Sequence, residues 1–308
     1  MPVDVSAELE QSGYRGRVVL IARRRDLRDE IESRRREGLF DETVYQTYFA
    51  HFVYDPPEEL PEARSLIVVA SPQPQIRFTF EWRERRFRLA VPPTYFHGTD
   101  EQVQDALAGA LAREGYRVEA AAVPKKLLAV RSGLAAYGKN NVAYVPGMGS
   151  FFRVAAFYSD LPCPEDDWRE PAMLERCREC DACLRACPAG AIAEDRFLLH
   201  AERCITFHNE QPGEVPFPAW LEPTWHDCIV GCLRCQLACP ENAEVRRWLE
   251  EGAAFSAEET ELLVAGAPLE QLPPGTAEKI ERTNLAPFLS LLPRNLKVIF
   301  ERGAGKNV

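Results

Sequence analysis

Long apolar runs are missing from this chain: nothing in its 308 residues approaches the roughly 20 consecutive apolar residues a membrane helix needs. The opening stretch, Met1 to Glu10, lacks the apolar core of a secretory leader, and no lipidation signal ends the chain, so a cytoplasmic location is expected. An excess of basic residues is missing too. With 47 acidic against 37 basic residues the formal net charge is −10, which argues against a broad nucleic-acid surface. Arg23–Arg24–Arg25 and Arg34–Arg35–Arg36 are local exceptions, and such runs are more often solvated helix faces than binding patches. The most informative absence is that of cysteine before Cys163, since all ten then fall between Cys163 and Cys239. Where thiols stay reduced, that concentration points to metal rather than to disulfides.

Three zones follow. Residues 1–160 read as α/β. Val18–Ala22 and Leu66–Ala70 are short β-branched runs suited to buried strands, and Arg86–Val91 alternates before stopping at Pro92–Pro93. Thr99 and Gln102 have the spacing of a capping box, opening a helix with Val103, Ala106, Leu107, Ala110 and Leu111 on one face and ending at Gly115. Val142–Val145 and Phe151–Tyr158 read as strands flanking a turn at Pro146–Gly149. Residues 161–245 hold every cysteine and show little periodicity, as expected of loops wrapped around metal. Residues 246–308 read as short helical pieces punctuated by proline, with a capping box at Ser256 and Glu259.

The first cysteine motif is Cys177-x2-Cys180-x2-Cys183-x3-Cys187-Pro188, the spacing of bacterial two-cluster ferredoxins. There three thiolates hold one 4Fe–4S cluster and the fourth reaches a second cluster. Ala189 and Gly190 leave room for backbone N–H groups to approach the sulfurs. The second motif, Cys232-x2-Cys235-x3-Cys239-Pro240, is incomplete and is preceded at a distance by Cys204. Crossed ligation assigns Cys177, Cys180, Cys183 and Cys239 to cluster one, and Cys187, Cys204, Cys232 and Cys235 to cluster two. Cys228 stands as an alternative to Cys204 or as a spare thiol. Cys163, between two prolines, reads as a packed small residue rather than a ligand. Zinc is the rival occupant of C-x2-C pairs, but an interlocked pair of C-x3-C-P tails exceeds what one tetrahedral ion needs.

These residues also resemble a known family. Gly133-Leu134-x2-Tyr137-Gly138-Lys139-Asn140, Gly149–Phe152, the run 177–192, RCITF at 203–207 and GCLRCQLACPEN at 231–242 are similar to epoxyqueuosine reductases and, more distantly, to reductive dehalogenases. Asp55–Pro56, Pro61-x-Ala63-x-Ser65 and Pro293-Arg294-Asn295-Leu296 are weaker echoes. The resemblance implies an α+β protein: a nitroreductase-like α/β domain binding cobalamin base-off, a ferredoxin-like two-cluster module, and a short helical tail. It implies cofactor contacts from Gly138, Lys139, Asn140, Asn141, Gly149, Ser150 and Phe151. No D-x-H-x-x-G element supplies a histidine below the cobalt. In the family an aspartate is the proton source; counting back from Gly133 places Glu119 near its position, with Tyr95 and Tyr137 as other candidate donors.

The expected function is therefore a corrinoid-dependent reductase fed by a ferredoxin or flavodoxin and acting on a small-molecule or modified-nucleoside substrate. A two-cluster electron-transfer protein without cobalamin is the alternative. A tRNA epoxyqueuosine reductase in the strict sense ranks last here, because of the net charge and because the chain lacks the helical-repeat extension with which many relatives grip tRNA.

Overall fold

The computed structural model describes residues 5–96 and 98–302, so Met1–Asp4, which begin the stretch read for a leader, lie outside it. The chain opens with helix α1 (Val5–Gln11), strand β1 (Arg15–Leu20) and helices α2 (Arg23–Arg36) and α3 (Glu42–Tyr48). Strands β2 (Ser65–Pro72), β3 (Gln75–Trp82) and β4 (Arg85–Val91) follow. Next come α4 (Gly98–Ala112), β5 (Val118–Ala120), α5 (Lys125–Arg131), the two-residue strands β6 (Ala136–Tyr137) and β7 (Ala143–Tyr144), and β8 (Phe152–Ser159). The cysteine region carries single-turn helices α6 (Ala182–Ala186), α7 (Ile205–Asn209) and α8 (Arg234–Ala238). Strand β9 (Leu249–Phe255) and helices α9 (Ala257–Ala265), α10 (Pro274–Arg282) and α11 (Leu292–Glu301) complete the described chain.

These elements form two compact units. The first takes residues up to 73, then 96–181 and 192–201; the second takes 74–95, 182–191 and 202 onward. In the first, an antiparallel sheet of order β1-β2-β8-β5 is covered on both faces. Leu66, Val68 and Ala70 of β2 pack with α2 and α5, while Ile67 and Val69 pack with α1 and α4. Burial on both faces is why this strand reads as a continuous apolar run rather than an alternating one.

In the second unit, β3 and β4 form an antiparallel hairpin and β3 pairs in parallel with β9. Phe78, Phe80, Leu89 and Phe255 meet Leu263, Ile280, Leu296, Ile299 and Phe300 of the last three helices. The three-zone division does not coincide with this arrangement. Residues 74–95 belong with the tail rather than with the first zone, because β9 completes their sheet. Nor is the tail wholly helical. Strand β9 hides its nature in Gly252, Ala253 and Ala254, which carry no strand signal; a Cβ on Gly252 would lie 2.9 Å from Ile76 and Phe78, so the close approach requires the small residue.

Local signals fare unevenly. The Ser256 box forms as read: Ser256 Oγ accepts from the Glu259 N–H (3.3 Å), and Glu259 accepts from the Ser256 N–H (2.8 Å). Thr99 does not cap α4, which already includes Gly98; its hydroxyl accepts from the Gln73 amide instead. Among the described residues no helix is long and apolar enough to cross a membrane.

Candidate functional site

The two cysteine motifs build matching structures. Helix α6 carries Cys183 and is followed by Cys187–Pro188; helix α8 carries Cys235 and is followed by Cys239–Pro240, and the two helices pack together. All ten cysteines stand as thiols. Cys177, Cys183 and Cys239 are buried, while Cys180, Cys187, Cys204, Cys232 and Cys235 are half-buried. The Ala191 N–H donates to Cys187 Sγ at 3.4 Å, the kind of amide-to-sulfur contact anticipated for the Ala189–Gly190 turn.

Within the second unit, Cys204 lies close enough to Cys187 and Cys232, and Cys232 close enough to Cys235, for their charges to interact. Burial pushes the Cys204 and Cys232 thiols up, and these neighbours add to it. Loading a cluster therefore has to displace protons from sites that favour them, and the metal charge supplies the drive. Cys228 also neighbours Cys232, but it is only 1% exposed, sits beside the Asp227 carboxyl and bridges its backbone to Ala90. Cys177 and Cys180 belong to the first unit and Cys183 and Cys239 to the second. Among the described residues no three His, Cys, Asp or Glu side chains gather closely enough to hold one metal ion. A cuboidal cluster spreads its thiolates around a body rather than a point.

Cys163 differs from its reading as a packed residue. It is half-exposed, its thiol meets the Glu165 carbonyl at 3.2 Å, and it lines a surface cavity of about 550 Å³ with Arg17 and Asp166. The prolines on either side keep it on a loop leaving β8, outside the core.

The segment expected to contact a cofactor is a self-locked loop in the first unit. The Asn140 side-chain amide donates to Tyr144 Oη (2.9 Å) and its oxygen accepts from the Val142 N–H (3.2 Å). Asn141 has a φ of 57°, and Lys126 Nζ donates to both its carbonyl and its side-chain oxygen at 2.8 Å. Both asparagines are therefore buried and turned into their own loop, while Gly138 is buried and Lys139 half-buried. Phe151 is fully buried, and its carbonyl accepts from the Gln73 N–H; Ser150 is buried and Gly149 half-buried. Lys126 was missed in the sequence, where nothing distinguishes it from its neighbour Lys125.

The three candidate proton donors are not gathered. Glu119 is half-buried on the edge strand β5 opposite Tyr158, and among the described residues its side chain makes no hydrogen bond or ion pair. Tyr137 is buried, edge-on to Phe197, with its hydroxyl pushed well above the usual range by burial. Tyr95 lies in the second unit, donates its hydroxyl to Glu210, and rests against Gly231, where a Cβ would fall 2.6 Å from its oxygen.

Residues missed in the sequence stand behind the second motif. Asn209, His226 and Asn295 are fully buried and hydrogen-bonded to one another or to the neighbouring backbone, and Arg294 bonds the end of α7 and the loop after it. Only the echo at 293–296 signalled this place, without a role.

Residues 176–242 match the family described as the 4Fe-4S double cluster binding domain. This region is thus a double-cluster iron–sulfur module. The particular likeness is to epoxyqueuosine reductases. That of Pseudomonas aeruginosa is 33% identical over 150 residues, covering 47% of this chain and 40% of the relative. That of Escherichia coli K12 is 36% identical over 135 residues, covering 44% of this chain and 34% of the relative. The match thus spans less than half the length of these curated relatives. The structure of epoxyqueuosine reductase from Streptococcus thermophilus has a TM-score of 0.63 at 17% identity, covering 99% of this chain and 82% of that one. A crystal structure of epoxyqueuosine reductase with a tRNA-Tyr epoxyqueuosine-modified stem loop has a TM-score of 0.59 at 20% identity, covering 93% of this chain and 76% of that one. At these identities the structural likeness establishes a shared mixed helix-and-strand fold. A net charge of −10 does not speak against tRNA in the way expected from the sequence, since it does not say where the arginines lie, and the neighbour just named is described with a tRNA stem loop.

Proposed function

We propose that the chain is an oxidoreductase of the epoxyqueuosine reductase type, holding two 4Fe–4S clusters and a cobalamin and reducing a small-molecule or modified-nucleoside substrate. The observation that carries this reading lies inside the first unit. Tyr137, which opens the Gly138–Asn141 loop, exchanges 2.8 Å backbone hydrogen bonds with Ala172 and Leu174, and the Cys177 N–H then donates to the Leu174 carbonyl at 3.0 Å. The first cluster ligand and the candidate cofactor loop therefore share one hydrogen-bonded support.

Cluster one takes Cys177, Cys180, Cys183 and Cys239; cluster two takes Cys187, Cys204, Cys232 and Cys235, with Cys228 the alternative to Cys204. When loaded, the clusters supply one-electron transfer from a ferredoxin or flavodoxin, and the corrinoid supplies a strongly reducing metal. The chain's own contribution is positional. Lys126 and Tyr144 fix the loop from within, leaving Lys139 and the backbone at Gly149 to meet the polar rim of a corrin. Glu119, half-buried and without a hydrogen-bond or ion-pair partner among the described residues, is the candidate left to deliver a proton, because the Tyr95 hydroxyl is engaged by Glu210.

Anaerobic purification, followed by iron and sulfide determination and by absorption spectra after adding cobalamin, tests the reading. Corrin bands that stay with the protein through gel filtration are the expected result. Two clusters with no retained corrinoid would leave the electron-transfer alternative in its place. For the tRNA substrate, the expected signature is stem-loop binding that weakens steeply as salt rises.

A further inference from the structure

Cluster two draws its proposed ligands from Cys187, which follows α6, and from two further arms, one running from Cys204 through α7 and one running from His226 to Cys235. What holds those arms together is a buried polar network anchored on the first turn of α11. Arg294 has no carboxylate within ion-pair distance among the described residues. Its guanidinium instead donates to the carbonyls of His208 (2.9 Å), Gln211 (3.0 Å), Pro212 (3.0 Å) and Val215 (2.7 Å), and more weakly to that of Asn209 (3.4 Å). It thereby shapes the loop that leaves the Cys204 arm. Its Nε and Nη2 also donate to Asn295 Oδ1 (3.1 and 3.0 Å), which fixes the Asn295 amide.

That amide bridges the arms directly. Asn295 Nδ2 donates to the Asn209 carbonyl on one arm (2.9 Å) and to the Ile229 carbonyl on the other (2.8 Å). Asn209 repeats the bridge with its own side chain: Nδ2 donates to the Gly231 carbonyl (2.8 Å), leaving Oδ1 to accept from His226 Nδ1 (2.9 Å). Asn209, His226 and Asn295 are each 0% exposed, so none of these bonds competes with water. Between them the bonds span Asn209, five residues after Cys204, and Gly231, immediately before Cys232. A network of this kind is strongly directional, since losing one member leaves buried partners unsatisfied.

We infer that Arg294 and Asn295 are positioning residues for cluster two, setting the separation of the Cys204 and Cys232 arms. The inference rests on the ligand set proposed above. It explains why a helix far along the chain presents its first turn to the cysteine module, and why a guanidinium rather than an ammonium stands there. Only a planar fork reaches that many carbonyls at once.

The test follows each cluster separately in the anaerobically prepared full chain, using the EPR signals of the reduced clusters and their decay in the presence of an iron chelator. Arg294→Lys keeps the charge and the aliphatic stem, and Asn295→Asp keeps the size while removing the donor. Both are expected to retain cluster one and to lose the cluster-two signal about tenfold faster or more, the scale set by losing a few buried hydrogen bonds. Unchanged decay of both signals in both variants overturns the inference, as does loss of both signals together, with or without loss of the fold. Cys204→Ser provides the separate check on the ligand set. That variant is expected to hold one cluster; if it holds both, the assignment of Cys204 fails, whatever Arg294→Lys does.

Discussion

Asp100 sits in the first turn of α4, where its carboxylate takes hydrogen bonds from Arg153 of β8 at 2.6 and 2.7 Å and from Lys125 of α5 at 3.4 Å. Burial alone would raise its pKa. The arginine and lysine outweigh burial and hold the carboxyl below its ordinary range. Because the folded value is the lower one, the stabilisation is complete above the unfolded value of about 3.9 and is lost as the pH falls through the folded value. Asp100→Asn is therefore expected to cost about 1 kcal/mol at neutral pH and to flatten the acid side of the stability profile. Urea titrations from pH 7 down to pH 3 would measure both. An equally steep acid limb in the variant would show that other carboxylates control it. Asp100 and Glu119 differ as candidates for chemistry for the same reason: Asp100 is fully engaged in joining three elements, while Glu119 has no bonded partner among the described residues.

At the level of elements, some structure was legible in the sequence because a signal and its cause coincide in one stretch of chain. Leu66–Ala70 pointed to β2, since a strand covered on both faces needs apolar residues throughout, whereas Val18–Ala22 only overlaps β1, an edge strand that begins at exposed Arg15 and ends at Leu20. The spacing from Cys177 to Cys187 marked the cysteine module because cluster ligation itself demands that spacing. What remained hidden depends on partners far away. Strand β9 has no β-branched residue, and its place in the sheet comes from β3, more than 150 residues earlier. Arg294 was illegible for a different reason, since its partners are main-chain carbonyls, which every residue possesses. The Thr99 pattern misled because its hydroxyl found Gln73 from a distant segment. Where the signal is wholly local it can be tested as such. Ser256→Ala removes the hydroxyl cap of α9 and is expected to cost about 1 kcal/mol. Glu259→Gln should cost more, because Glu259 also accepts from Thr276 (2.8 Å) and Lys279 (2.7 and 2.8 Å). Thermal melts of the two variants give the order, and a larger loss in Ser256→Ala would reverse it.

For the molecule as a whole, the distribution of core predicts how it responds to losing metal. The sheet β1-β2-β8-β5 lies between two large apolar clusters, and the sheet β4-β3-β9 packs on a third. Apart from Ile229 and Val230, which join that third cluster, the cysteine region has a small cluster of Ala189, Ile205 and Leu221, against which Cys187, Cys232, Phe217 and Trp225 pack. Burying Ile205 and Leu221 contributes roughly 3–6 kcal/mol, whereas ordering backbone costs roughly 1–2 kcal/mol for every residue fixed. Single-turn helices and loops recover little of that cost, so cluster bonds have to provide the order there. Stripping iron with a chelator under oxidising conditions is accordingly expected to leave the two sheets folded, with most of the circular dichroism and a cooperative melt retained. Limited proteolysis should then cut within residues 176–242 and spare the strands. If the stripped chain resists protease in that region as well as the loaded chain does, the protein part alone suffices to order the cysteine arms, and the network around Asn209, His226 and Asn295 is strong enough to do so without metal.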